Sequence, residues 1–163
     1  MINPPSETVE QQKVVQWLKI KKITFTSMPN ENRWSGVVRG LLKRFIGEKK
    51  ANALTAKIVS SIENSMKREG KQKGYPDLII DEPNKYYHGL RIELKRARKQ
   101  LKTKLSTAHT KISDEQKEWI RKLNERGYKA VVCYGAKEAI EVINEYMGNV
   151  NSSDARYSKL CKK

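Results

Sequence analysis

The sequence predicts an α/β fold built on a central mixed β-sheet flanked by helices, and three features carry that prediction. Two short apolar runs, Leu78-Ile79-Ile80 and Leu90-Arg91-Ile92, flank the polar stretch Asp81 to Gly89, which is the pattern of a β-hairpin with a long loop. Beyond Ser113 a helical period gives way to the strand-like run Lys129 to Tyr134 and then to a second helical period. That order implies a crossover placing the late strand parallel to the second hairpin arm. Near the N-terminus, Val14, Trp17 and Leu18 recur at helical spacing and give the sheet a covering layer.

Ser6 is placed to cap a helix from about Glu7 to Lys19, with Glu7 and Glu10 in its first turn, where the helix dipole favours anions. Ile23 to Met28 alternates and is β-branched, so a strand is expected there, ended by Pro29-Asn30-Glu31. Val37, Val38, Leu41, Leu42 and Phe45 suit one amphipathic helix. Leu54, Ile58 and Ile62 suit another, stopping at Gly70. Ser113-x-x-Gln116 is a capping box opening a helix with Trp119, Ile120 and Leu123 inward, and Gly127 sits where that helix should end. The last helix is expected over Ala136 to Met147 with Ala139, Ile140, Ile143 and Met147 inward. The expected organisation is one domain over residues 1–147, carrying a basic helical insertion at 36–73, then a polar tail at 148–163.

Composition narrows the partner. Lys and Arg number 34 against 18 acidic residues, a formal net charge of +16, which repels itself unless a polyanion is bound. Nucleic acid comes first. A membrane is disfavoured, because no apolar run approaches the ~20 residues needed to span a bilayer. Two cysteines, Cys133 and Cys161, have neither metal spacing nor a disulfide framework, so a cytoplasmic setting is expected. Gly36 to Lys73 and Arg91 to Lys111 each carry a net +7. The candidate phosphate contacts are Arg33, Arg39, Lys43, Arg44, Lys71 and Lys73 before the hairpin, and Arg96, Arg98, Lys99, Lys102 and Lys104 after it. His88 and His109 lack partners for a zinc site, and no phosphate-binding glycine loop or dinucleotide fingerprint occurs, so no nucleotide cofactor is expected.

The hairpin carries the chemistry. Side chains alternate along a strand, so Glu93 and Lys95 share one face while Leu94 takes the other. If the arms pair antiparallel, Asp77 comes beside Glu93. Two adjacent carboxylates need a proton or cation between them, and a hard divalent ion takes such oxygen ligands. An ordinary cross-strand ion pair between Asp77 and Lys95 is the plainer alternative.

Gly74-x-Pro76-Asp77-Leu78, Gly89-Leu90-x-Ile92-Glu93-Leu94-Lys95, Ser113-x-x-Gln116-x-x-Trp119 and Gly127-Tyr128 together resemble the VRR-NUC family, the virus-type replication-repair nucleases of the PD-(D/E)xK superfamily. Glu7-x-x-x-Gln11 ahead of Val14, Val15 and Trp17 is similar to the family's N-terminal helix. The likeness runs from Glu7 to Met147 and departs at Gly36 to Lys73, which exceeds the usual link before Pro-Asp. The resemblance implies a restriction-endonuclease-like core and a Mg²⁺ or Mn²⁺ site formed by Asp77, Glu93, the Leu94 carbonyl and Glu7, with Glu10 and Glu31 as competitors for the last place. It implies Lys95 as a catalytic residue and Gln116 approaching the same site. It further implies a structure-specific DNA endonuclease of phage, viral or repair origin, resembling a Holliday-junction resolvase or a flap-cleaving enzyme, and a homodimer. The rival from another class is a non-catalytic basic nucleic-acid-binding module on a nuclease-like fold.

Overall fold

The computed structural model describes residues 5–28, 32–97 and 111–151. The chain divides into two compact units, Pro29–Lys73 and a larger one formed by the segments on either side.

The larger unit begins with α1 (Glu7–Ile20), whose N-cap Ser6 accepts a hydrogen bond from the Val9 amide and whose first turn holds Glu7 and Glu10. Then follow β1 (Phe25–Ser27), β2 (Leu78–Ile80), β3 (Leu90–Lys95), α4 (Asp114–Glu125), β4 (Lys129–Tyr134) and α5 (Gly135–Asn151). The four strands form one sheet in the order β1-β2-β3-β4. The first two pairings are antiparallel, and β4 joins β3 in parallel. The sheet is therefore mixed, as the hairpin and crossover predicted.

One face of the sheet is apolar. Leu78, Ile80, Leu90, Ile92 and Leu94 are fully buried and pack with Val14 and Leu18 of α1 and with Ala139, Ile143 and Tyr146 of α5. Burying a side chain of this size is worth about 1.5–3 kcal/mol, so this layer fixes the register of β3 and, with it, the opposite face. Cys133 is buried in the same layer, and burial pushes its thiol up to about 12, as suits a small hydrophobe.

Three features of the larger unit differ from the sequence reading. β1 is three residues rather than six, because Ile23 closes α1 instead: its amide donates to the Leu18 carbonyl at 3.1 Å, and Lys22 takes φ 55° to allow it. The inward stripe of α4 narrows to Leu123, with Trp119 and Ile120 half-buried. α5 continues past Met147 to Asn151, and Tyr146 joins its buried stripe; residues 152–163 of the expected tail lie outside the described residues.

The smaller unit is a helical hairpin, α2 (Asn32–Ile46) on α3 (Glu48–Arg68). The helices lie where the insertion was expected, with α2 starting four residues earlier than Gly36. Of the five apolar residues read as making α2 amphipathic, Val38 and Leu42 are half-buried, whereas Val37, Leu41 and Phe45 are 52, 56 and 82% exposed. Ser35 and Arg39 of α2 line an open cleft with Asn52, Thr55 and Val59 of α3. Only Ala51 and Thr55 of α3 are buried.

Candidate active site

The face of β3 opposite the core should be polar and solvated by the alternation rule, yet it is closed. Arg91, Glu93 and Lys95 are 6, 2 and 8% exposed. Burying charge costs several kcal/mol per ion unless partners compensate, so three in a row on one strand need a reason.

Glu93 and Lys95 form an ion pair, Lys95 Nζ to Glu93 Oε1 at 2.7 Å. Leu78 pairs with Ile92 across the hairpin, so the next position of each arm brings Asp77 beside Glu93. There Asp77 Oδ2 accepts the Leu94 amide at 2.9 Å. This hydrogen bond and the Lys95 charge lower the Asp77 pKa, but burial outweighs both and the carboxyl titrates above its ordinary value. Burial acts first on Glu93 too, and the neighbouring charges of Asp77 and Glu7 add to it. Lys95 opposes them, and the balance holds Glu93 at about 7. The carboxylates thus sit close enough to repel, as the hairpin register required.

Gln116 reaches the pair from α4. Its amide oxygen accepts the Ser113 amide at 2.9 Å while the Ser113 hydroxyl accepts the Gln116 amide at 3.3 Å, the capping box read from the sequence. Its side-chain nitrogen donates to Glu93 Oε1. The two proposed roles of Gln116 are therefore compatible. The capping contact claims the oxygen, which turns the NH₂ group towards the carboxylate.

Gly74 brings α4 this close. It adopts φ 81°, and a Cβ there would stand 2.8 Å from the Glu115 carbonyl carbon and 2.9 Å from the Gln116 nitrogen. Only a residue without a side chain lets the Pro76-Asp77 segment touch the first turn of α4.

Arg91, which opens the basic stretch Arg91 to Lys111 and is not among the candidate site residues of the sequence, lies inside beside the site. Its guanidinium donates to Asp81 Oδ1 at 3.0 Å, to the Ile80 carbonyl at 3.1 Å and to the Leu90 carbonyl at 3.2 Å. It stacks 4.6 Å from the Tyr128 ring centre, and its Nε reaches the Tyr75 hydroxyl at 3.4 Å. Tyr75 meets Trp119 edge-on at 5.1 Å. This network ties the hairpin mouth to α4 beside the carboxylates. Its signal was the odd-numbered alternation Arg91, Glu93, Lys95, which places all three on one face.

Other predicted residues fall as follows. Glu7 lies near enough to raise Glu93. Glu10 is buried, with its Oε2 accepting the Ala136 amide at 2.8 Å at the start of α5, a capping contact. Glu31, Arg98, Lys99, Lys102, Lys104 and His109 lie outside the described residues. Arg33, Arg39, Lys43 and Arg44 are on α2, with Lys43 paired to Glu48 at 3.0 Å. Lys71 and Lys73 follow α3. Arg96 binds the Pro5 carbonyl at 3.1 Å and so anchors the entry to α1. His88 is exposed, its amide held by the Gly127 carbonyl at 2.8 Å and its ring against Tyr128.

Among the described residues no group of three or more His, Cys, Asp or Glu side chains could by itself hold a metal ion. Two carboxylates are nonetheless the donor set that suits Mg²⁺, which binds one or two carboxylates and keeps several waters or phosphate oxygens. Raised carboxylate pKa values signal a negative charge that a cation would relieve. The residues present fit a hard divalent ion.

A mixed sheet with Pro-Asp entering one strand and Glu-x-Lys on its neighbour defines the PD-(D/E)xK class of nuclease folds. Within it, this chain belongs to the VRR-NUC family: the VRR-NUC domain model matches residues 6–137. Among solved structures it is similar to a VRR_NUC domain protein at 26% identity and a TM-score of 0.60, covering 91% of this chain and 93% of the other. No match is found among the curated proteins.

Proposed function

We propose that this chain is a Mg²⁺- or Mn²⁺-dependent, structure-specific DNA endonuclease with Asp77, Glu93 and Lys95 at its centre. The single observation that supports this best is the half-buried Asp77 set beside a buried Glu93 that is itself ion-paired to a buried Lys95. A module that only coats nucleic acid gains nothing from negative charge kept out of water beside phosphate.

Asp77, Glu93, the Leu94 carbonyl and Glu7, directly or through water, would hold the ion. Bound there, it would lower the pKa of a coordinated water and offset charge on the phosphate. Asp77 is fixed by the Leu94 amide and does not need to reorganise on binding. Gln116 and Lys95 both engage Glu93 Oε1, leaving the carboxylate one orientation. Lys95 orients or deprotonates the attacking water, and its ammonium form stabilises the charge that develops on the phosphoryl oxygens. The basic residues of α2, Lys71, Lys73 and Arg96 to Lys104 would contact phosphates without reading bases.

A branched substrate and a homodimer complete the reading, since two-fold symmetry would set two such sites on opposed strands. Labelled junction, flap, nicked and linear DNAs, incubated with Mg²⁺ or EDTA, test it. Cleavage of a branched species in Mg²⁺ alone is expected, with a dimer by light scattering. Equal cutting in EDTA, or none of any substrate, rejects the activity. A monomer with intact junction cleavage rejects only the dimer.

A further inference from the structure

The turn of the α2–α3 hairpin carries a feature that phosphate binding does not explain. One residue, Gly47 at φ 74°, separates the two helices, so the tip is narrow and held on two rigid rods. Phe45 stands there 82% exposed, with Ile46 beside it. Every residue from 43 to 50 is exposed, and Lys43, Arg44, Lys49 and Lys50 flank Phe45 in sequence against a single acid, Glu48. Lys43 reaches across the turn to Glu48 at 3.0 Å, bracing it. A phenyl ring kept in water at a braced tip is placed for contact.

Charge selects the contact. The insertion carries a net +7 between Gly36 and Lys73, so a second copy of this chain would set like charge against like. Nucleic acid instead brings phosphates to the four cations and flat base faces to the ring. We infer that the hairpin tip is a wedge that places Phe45 against unpaired bases at a branch point in DNA. Apolar side chains inserted between bases must first unstack them, and at a branch that cost is largely absent. The tip therefore favours a fork over continuous duplex by a means separate from the carboxylates. The proposal takes DNA as partner from the nuclease reading and needs nothing else from it.

The test is binding of the full chain to a labelled fork and to a duplex of matched length, in EDTA so that nothing is cut. Wild type should prefer the fork by about tenfold, the size expected of one stacked base. Phe45→Ala should bring the ratio close to one, and Phe45→Trp should keep it. 2-Aminopurine placed at the branch should change its fluorescence with wild type and not with Phe45→Ala. An unchanged ratio in Phe45→Ala overturns the wedge, as does a wild type without fork preference. A Phe45→Ala variant that turns a dimer into a monomer assigns the face to a second copy and overturns it too. Fork preference that persists where no Mg²⁺-dependent cleavage is found would sink the nuclease reading and leave the wedge standing.

Discussion

Glu93 lies at the centre of the candidate site, and its titration has consequences that can be measured before any substrate is added. In the folded chain it titrates at about 7, against an ordinary glutamate near 4.3. Between these values the folded state holds a proton that the unfolded state has lost, so stability falls as pH rises across that window. The full effect is on the order of 3 kcal/mol. Thermal unfolding of the metal-free protein should therefore show a lower Tm at pH 8 than at pH 5.5, and Glu93→Gln should flatten that slope. A divalent ion needs the carboxylate ionised, so Mg²⁺ affinity should rise about tenfold from pH 6 to pH 8. A titration showing pH-independent affinity would contradict the shared role of Asp77 and Glu93. For catalysis, Asp77→Asn, Glu93→Gln and Lys95→Met should each lower kcat by at least about a hundredfold in a single-turnover cleavage assay. DNA affinity should stay within a few-fold of wild type, because none of these residues is an exposed phosphate contact.

At the scale of elements, α4 is aimed by two small features. Gly74→Ala puts a methyl 2.8 Å from the Glu115 carbonyl carbon in a backbone region that alanine disfavours. It should cost about 2 kcal/mol or more in denaturant melts and lower kcat as Gln116 retreats from Glu93. Ser113→Ala removes the hydroxyl half of the cap, worth about 1 kcal/mol, while the Ser113 N–H still holds the Gln116 side-chain oxygen. It should lower stability in the same melts and leave kcat within a few-fold, whereas Gln116→Ala, which loses the amide at Glu93, should lower kcat more than it raises KM. Much of this level was legible in the sequence. The hairpin arms, the capping box and the C-terminal glycine of α4 each depend on local spacing, which the sequence contains. Arg91 was not legible as an interior residue, since a cation among many cations reads as surface until Tyr75, Tyr128 and Asp81 are seen around it. Glu10 was equally ambiguous, because its partner is the Ala136 amide, 126 residues away. The apolar stripe of α2 had the right period, but periodicity does not say which side faces a neighbour. Val38 and Leu42 lie half-buried, while Val37, Leu41 and Phe45 stay in water.

For the whole molecule, the net charge of +16 governs association rather than fold. Among the described residues no helix is long and apolar enough to cross a membrane. Duplex affinity measured by anisotropy should fall steeply with salt, log Kd rising linearly with log salt concentration at about 0.9 per phosphate neutralised. Charge-neutralising changes at Arg39 and Arg44 should reduce that slope by about two without touching the Glu93 titration. The sheet of the larger unit holds the carboxylates, and the helical hairpin of the smaller one lies in the stretch 36–73 that carries a net +7. The most direct measurement of the central claim is anomalous diffraction from crystals soaked in Mn²⁺. The account predicts a peak bridging Asp77 and Glu93 beside Lys95, absent in Asp77→Ala. A peak elsewhere, or none while wild type binds Mn²⁺ in solution, would contradict it.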